Sequence, residues 1–273
     1  MEPLIKKYPV QHPLLKKYIK FFWAIRTNPM QIDHRIIPVR NIDLKFNLSE
    51  TPHYEIIEGQ EHRLEEVYFS GLQDHFRDAR LQFNGSVDLM GVCFFPEGFY
   101  PFMKIPLSEF RNRILGAGEA GFRPAKTISE QLKETRDTGD RLIILERELV
   151  RLLDTDRLVP VNFRQLFTSL TQSGDVSQVS GVCERYNIGS RKLERLYNKY
   201  VGIPAKTYYL LNRFQNSLNQ LLSGDYSRLT DIAYENGYFD QMHFIKEFRR
   251  FAGHTPKIFV PRKDTMLHIG KPS

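Results

Sequence analysis

The chain has 273 residues, 41% of them hydrophobic and 26% charged, with a formal net charge of +7. That length and balance suit about two globular domains and exclude a fibrous or disordered chain. Two cysteines exclude a disulfide scaffold. The sequence shows neither an apolar signal core near Met1 nor the roughly 20 apolar residues of a membrane span, so a cytoplasmic location away from the membrane is expected.

The charge is unevenly placed. Residues 161–273 hold 16 basic and 9 acidic side chains, whereas residues 1–160 hold 23 of each. A neutral part joined to a basic part suggests that one contacts nucleic acid. A merely soluble basic domain would show the same balance.

In chain order, Tyr18–Ile25 is aromatic and β-branched and reads as a strand. In 41–48, Ile42, Leu44, Phe46 and Leu48 alternate with Asp43, Lys45 and Asn47, which predicts a strand with one apolar and one polar face. Residues 66–70 and 87–95 are further strands, and Pro38, Gly59, Gly71 and Gly85 punctuate the runs. An antiparallel sheet or barrel is expected. Residues 97–110 read as short helical turns. From about Ser129 the apolar spacing becomes helical, with Leu142, Leu145, Leu149 and Leu152 forming a stripe. That stripe could pair with a second subunit in a homodimer or pack on its own sheet. Residues 154–160 read as a linker, and everything beyond is helical.

The C-terminal part contains a degenerate copy of itself. Val182, Cys183 and Ile188 match Ile232, Ala233 and Tyr238 fifty positions later. Leu193, Arg195, Tyr197 and Gly202 match Phe244, Lys246, Phe248 and Gly253 at an offset of 51. Each copy has helix-turn-helix logic. A small residue sits where helices cross, and an asparagine or glycine in the turn can take positive φ. A capping residue (Ser190 or Asp240) follows, then an amphipathic helix stopped by glycine. Residues 204–222 read as one long helix between the copies.

At these residues the chain resembles the AraC/XylS family of transcriptional regulators. The second copy carries Asp231-Ile232-Ala233, Gly237-Tyr238, Asp240-Gln241, His243-Phe244, Phe248-Arg249-Arg250 and Gly253-His254-Thr255-Pro256. The first matches through Ser190, Leu193, Arg195, Tyr197 and Gly202-Ile203. The resemblance spans about 162–262. It implies a seven-helix domain with two helix-turn-helix units that binds double-stranded DNA. The N-terminal part is similar, more loosely, to a β-rich domain ahead of some regulators of this family, through Ile42-Asp43-Leu44, Phe69-Ser70-Gly71-Leu72 and Gly91-Val92.

The expected fold is α+β. A β-rich sensor-like domain (1–125) is followed by a helical linker (126–160), an all-α tandem helix-turn-helix domain (161–262) and a flexible tail (263–273). The resemblance places Arg191, Glu194 and Arg195 at base-reading positions of the first recognition helix, and Gln241, Met242, His243 and Lys246 on the corresponding face of the second. Arg suits guanine, Glu cytosine, Gln adenine and Met a thymine methyl. Glu194 could equally salt-bridge Arg191 or Lys199. Ser190, Lys199, Arg249 and Arg250 are expected at phosphates.

The aromatics Phe22, Trp23, Phe46, Phe94, Phe99 and Tyr100 are the candidate lining of a pocket for a small-molecule effector, or else a plain core. RNA polymerase is the further partner expected of such a regulator. No cofactor is expected. His34, His53, His62 and His75 lack metal-ligand spacing, and Cys93 and Cys183 read as buried thiols. No nucleophile elbow or phosphate loop points to an enzyme. The competing readings are a regulator controlled by protein partners or abundance alone, and an enzyme targeted by its helical domain.

Overall fold

The computed structural model describes residues 5–172 and 178–259; the expected tail at 263–273 lies outside them. The N-terminal part is a bent antiparallel sheet. Its strands are β1 (Lys6–Tyr8), β2 (Ile19–Arg35), β3 (Ile42–Asn47), β4 (His53–Ile57), β5 (Gln60–Arg63), β6 (Val67–Ser70), β7 (Ala79–Phe94) and β8 (Ile114–Gly116). They run in the order β1-β2-β7-β3-β6-β8, with β4 and β5 branching from the first half of β7. The long antiparallel pair β2–β7 is the spine. Trp23 pairs with Gly91 near one end and Arg35 with Arg80 near the other.

Sequence reading ended β2 at Ile25 and started β7 at Val87, with Gly85 as a break; Asn28 and Pro29 lie just beyond that expected end of β2. The sheet takes them in as an irregularity instead. The register slips between Thr27 and Met30, and Gly85 sits at φ +119. Proline and glycine inside a ladder commonly mark such a bulge.

The alternation predicted for β3 holds, but its polar side does not face water. Asp43, Lys45 and Asn47 are all buried, as are Ile42, Leu44 and Phe46. The sheet therefore has two interiors. Phe22, Leu44, Phe46, Phe69, Met90, Val92, Phe94 and Phe99 belong to the main core. Trp23, Ile25, Leu81, Phe83, Leu89 and Cys93 form a second one on the opposite face. In that second interior, Trp23 Nε1 donates to Asp43 Oδ1 at 2.9 Å. Lys45 Nζ donates to Ser70 Oγ at 2.7 Å. A Cβ on Gly91 would stand 2.0 Å from the Trp23 indole, so only glycine leaves room for the ring. Gly91→Ala is expected to cost about 2 kcal/mol by overpacking, read as a shifted denaturant midpoint. An unchanged midpoint would mean that the indole has free space to move into.

Helix α1 (Ala125–Glu134) and helix α2 (Thr138–Leu152) close the main core. Asp137 caps α2 by accepting from the Asp140 amide at 3.0 Å. The buried Arg141 ties α2 to the sheet through Asp88, at 2.8 Å. Leu145 and Leu149 are each 1% exposed and belong to the chain's own core, with Leu142 and Leu152 packed against it. The leucine stripe thus packs on the chain's own core, one of the two alternatives its spacing offered.

Among the described residues seven helices follow: α3 (Val161–Gln172), α4 (Gln178–Arg185), α5 (Ser190–Tyr200), α6 (Ala205–Ser223), α7 (Leu229–Glu235), α8 (Gln241–Ala252) and α9 (Pro256–Phe259). The main core is continuous from Val10 on the sheet side to Phe259. Among the described residues no helix is long and apolar enough to cross a membrane.

Candidate nucleic-acid interface

Helices α4–α5 and α7–α8 are the two helix-turn-helix units, and α6 joins them. The turns are built as the residue types require. Asn187 takes φ +47 in the first and Gly237 φ +70 in the second. Asp240 caps α8 by accepting from the His243 amide at 2.7 Å. Ser190 does not play the matching part in α5. Gly189 is the N-cap, without a side-chain bond, and Ser190 is the first helical residue. Gly202 and Gly253 end the two units at φ +88 and +75.

Each second helix buries one face. In α5 that face is Leu193, Tyr197 and Tyr200; in α8 it is Phe244, Phe248 and Phe251. The buried pair Arg213–Glu247 fastens α6 to α8, with Arg213 Nε donating to Glu247 Oε1 at 2.9 Å. Arg213 also donates to the Gly237 carbonyl in the turn at 3.1 Å and stacks over Tyr238 at 4.3 Å. Burial works against the guanidinium charge, but the Glu247 bonds and charge more than offset it and hold its pKa above the ordinary value.

The expected contact residues fall into three groups. Ser190, Arg191, Arg195, Met242, Lys246 and Arg249 lie exposed on the two units, and Gln241 is half-buried beside them. Glu194 is half-buried, and His243 is exposed but has partners within its own unit. His243 Nδ1 accepts from the Phe239 amide at 3.3 Å, and its ring packs edge-on against Tyr238. Glu194 Oε2 accepts from the Ala205 amide at 3.1 Å and so caps α6, a partner that sequence reading did not offer. Lys199 and Arg250 meet the N-terminal part. Lys199 Nζ lies over the Tyr100 and Tyr200 rings, and the Arg250 carbonyl accepts from the Phe76 amide at 3.0 Å. One surface residue escaped sequence reading. Phe239, in the turn before α8, is 85% exposed, close in sequence to Met242 at 71%. Its signal was an aromatic following Tyr238, which already fills the core.

The candidate effector aromatics do not line one pocket. Phe22, Phe46, Phe94 and Phe99 pack in the main core, with Phe94 and Phe99 centroids 5.1 Å apart. Trp23 points to the other face of the sheet. Tyr100 meets Tyr200 edge-on at 5.0 Å where the two parts touch. Adjacent strand residues face opposite ways, so Phe22 and Trp23 could never share a cavity wall. Among the described residues no group of three His, Cys, Asp or Glu could hold a metal. Cys93 is buried, which pushes its thiol well up; Cys183 is half-buried rather than enclosed.

Residues 182–262, the span of both units, match the family model of a helix-turn-helix domain. Residues 182–262 are therefore a helix-turn-helix domain of the AraC type, as the resemblance implied. That domain supports a DNA-binding transcriptional regulator. Residues 10–116 match a second model, described as a domain of unknown function (DUF6597). No curated protein sequence matches the chain significantly. Among solved structures the chain is similar to ToxT from Vibrio cholerae, at 7% identity and a TM-score of 0.47, covering 90% of this chain and 98% of that one. A structure of unsaturated fatty acid bound wild-type ToxT from the same species, strain SCE256, gives 9% identity and 0.43, covering 92% and 96%. The AraC-like transcriptional activator CuxR gives 13% and 0.29, covering 81% and 89%. The assignment of the helical part stands on the matched domain and its tandem geometry.

Proposed function

We propose that one chain reads two successive major grooves, with α5 in one and α8 in the other, and that the N-terminal part adjusts this reading in response to a small molecule. The supporting observation is the pair of exposed polar helix faces joined by a single helix. Successive grooves on one side of B-DNA lie about 34 Å apart. Arg191 and Arg195 are the base readers of the first site. Gln241, Met242 and Lys246 are those of the second, with Phe239 placed for a thymine methyl. Arg249 serves phosphates and sets salt dependence rather than sequence.

Small-molecule control draws its support from the contacts between the two parts. The N-terminal part touches the first unit at Gly202, where an added Cβ would meet the Leu107 carbonyl. It touches the second at Gly253, against the Phe76 ring. It touches α6 between them, through Arg40 and Asn216 at 2.9 Å.

The test is binding to DNA upstream of the chain's own gene, against random DNA, across a salt series. Selective binding with a steep negative salt slope is expected, and equal binding to both DNAs at every salt would overturn the reading. Arg195→Ala should cost roughly 1–3 kcal/mol on the preferred site and relax one base position. A uniform loss on all sequences would move Arg195 to the phosphates.

A further inference from the structure

The second interior of the sheet contains a cavity of about 50 Å³. Its polar walls are Asn41, Asp43, Lys45, Ser70 and Gln73, with Arg35 at one side. Ile37, Val39 and Leu81 supply apolar area. Gln73 is 4% exposed, yet its Oε1 has no hydrogen-bond partner. A buried acceptor left unpaired costs free energy, so an occupant that donates to it is favoured.

Charge decides what kind of occupant. Asp43 and Lys45 face the same space with opposite signs, and Arg35 already has Asp78 at 3.7 Å. A charged ligand would upset that balance, whereas a neutral one would not. The walls offer acceptors at Gln73 and Asp43 and donors at Lys45 and Arg35. A hydroxyl serves both, because it donates once and accepts twice. The volume corresponds to about four waters, enough for a three-carbon skeleton and too small for a sugar ring.

The cavity wall is also a strap. Between β2 and β3, Ile37, Val39 and Asn41 line the cavity. The alternate residues grip α6: the Pro38 carbonyl accepts from Gln215, and Arg40 donates to Asn212 and Asn216. One end of the strap reaches the second unit, where Arg35 Nη1 lies 2.6 Å from His254 Nε2. We infer that this cavity binds a compact neutral polyol and that the strap carries its occupancy to α6. The inference rests on the proposed small-molecule control and names the ligand class and the route.

Calorimetry on the full chain tests it with glycerol and ethylene glycol as probes. Glycolate, ethanolamine and 1-propanol are the anionic, cationic and apolar controls. Saturable heat from a polyol, absent with the controls, is expected. Gln73→Leu should weaken it about tenfold, the worth of one hydrogen bond. Val39→Phe, which fills the cavity without touching a polar group, should abolish it. Arg40→Ala should keep polyol binding while removing any polyol effect on DNA affinity. No polyol heat, equal heat from a control, or unchanged heat in both cavity variants would overturn the inference. Polyol binding in a chain that ignores DNA would leave the cavity standing and sink the regulatory reading; selective DNA binding without polyol heat would do the reverse.

Discussion

Glu247→Ala should destabilise the chain by about 3–5 kcal/mol, because it strands a buried guanidinium. Arg213 and Glu247 are 6% and 8% exposed, so water cannot replace the lost partner. The damage should be lopsided. Arg213 ties α6 to the turn and second helix of one unit only, so the second half of the DNA site should be lost first. Denaturant midpoints measure the stability term, and footprinting on the two half-sites measures the asymmetry. The double variant Arg213→Met with Glu247→Leu should recover most of the stability, since well-packed apolar residues often replace a buried pair at no net cost. A single variant with an unshifted midpoint would show that Arg213 finds water or another acceptor.

Acid should weaken the fold through His53. This side chain is 1% exposed, sits edge-on to Phe83 at 4.2 Å, and lies 3.3 Å from the Tyr68 hydroxyl through Nδ1. Burial, with the Lys45 charge adding to it, lowers its pKa to about 3. Unfolded, the imidazole titrates near 6.5. Between these values the unfolded chain takes up a proton that the folded chain refuses. Stability is therefore full above about pH 6.5 and falls as the pH drops toward 3. At pH 4.5 the loss is about 2–3 kcal/mol. The change in unfolding free energy between pH 7.5 and 4.5 should shrink by that amount in His53→Gln. Equal changes in wild type and variant would mean that the folded chain protonates His53 freely.

The helical part was legible in the sequence because its signals are local. Asn187, Gly237, Asp240, Gly202 and Gly253 each sit where backbone geometry demands that residue type. Ser190 misled by one position, since a serine beside a glycine is the better cap by propensity and the chain uses Gly189. The sheet was harder. β3 was found by its alternation, but alternation gives a polar side without saying what lies on it. Only the fold, with β7 running the whole length of β2, β4 paired to its first half and β6 paired to β3, turns that side inward. The short strands β1, β5 and β8 carry too few residues to show a period. The contacts of Lys199 with Tyr100 and of the Arg250 carbonyl with Phe76 join residues distant in sequence, which no spacing announces.

A continuous main core running from Val10 to Phe259 has a consequence for modularity. Regulators are often imagined as interchangeable halves, with any receiver grafted to any reader. Here Tyr200, Val201 and Ile203 of the reader share their burial with Leu107 and Phe110 of the receiver. A graft that kept only the helices would expose that apolar seam to water, and a foreign receiver would have to supply matching relief to cover it. A chimera that keeps this seam covered has to carry the segment around residues 100–110 along with the helices, so a cut at 154–160 falls on the wrong side of it.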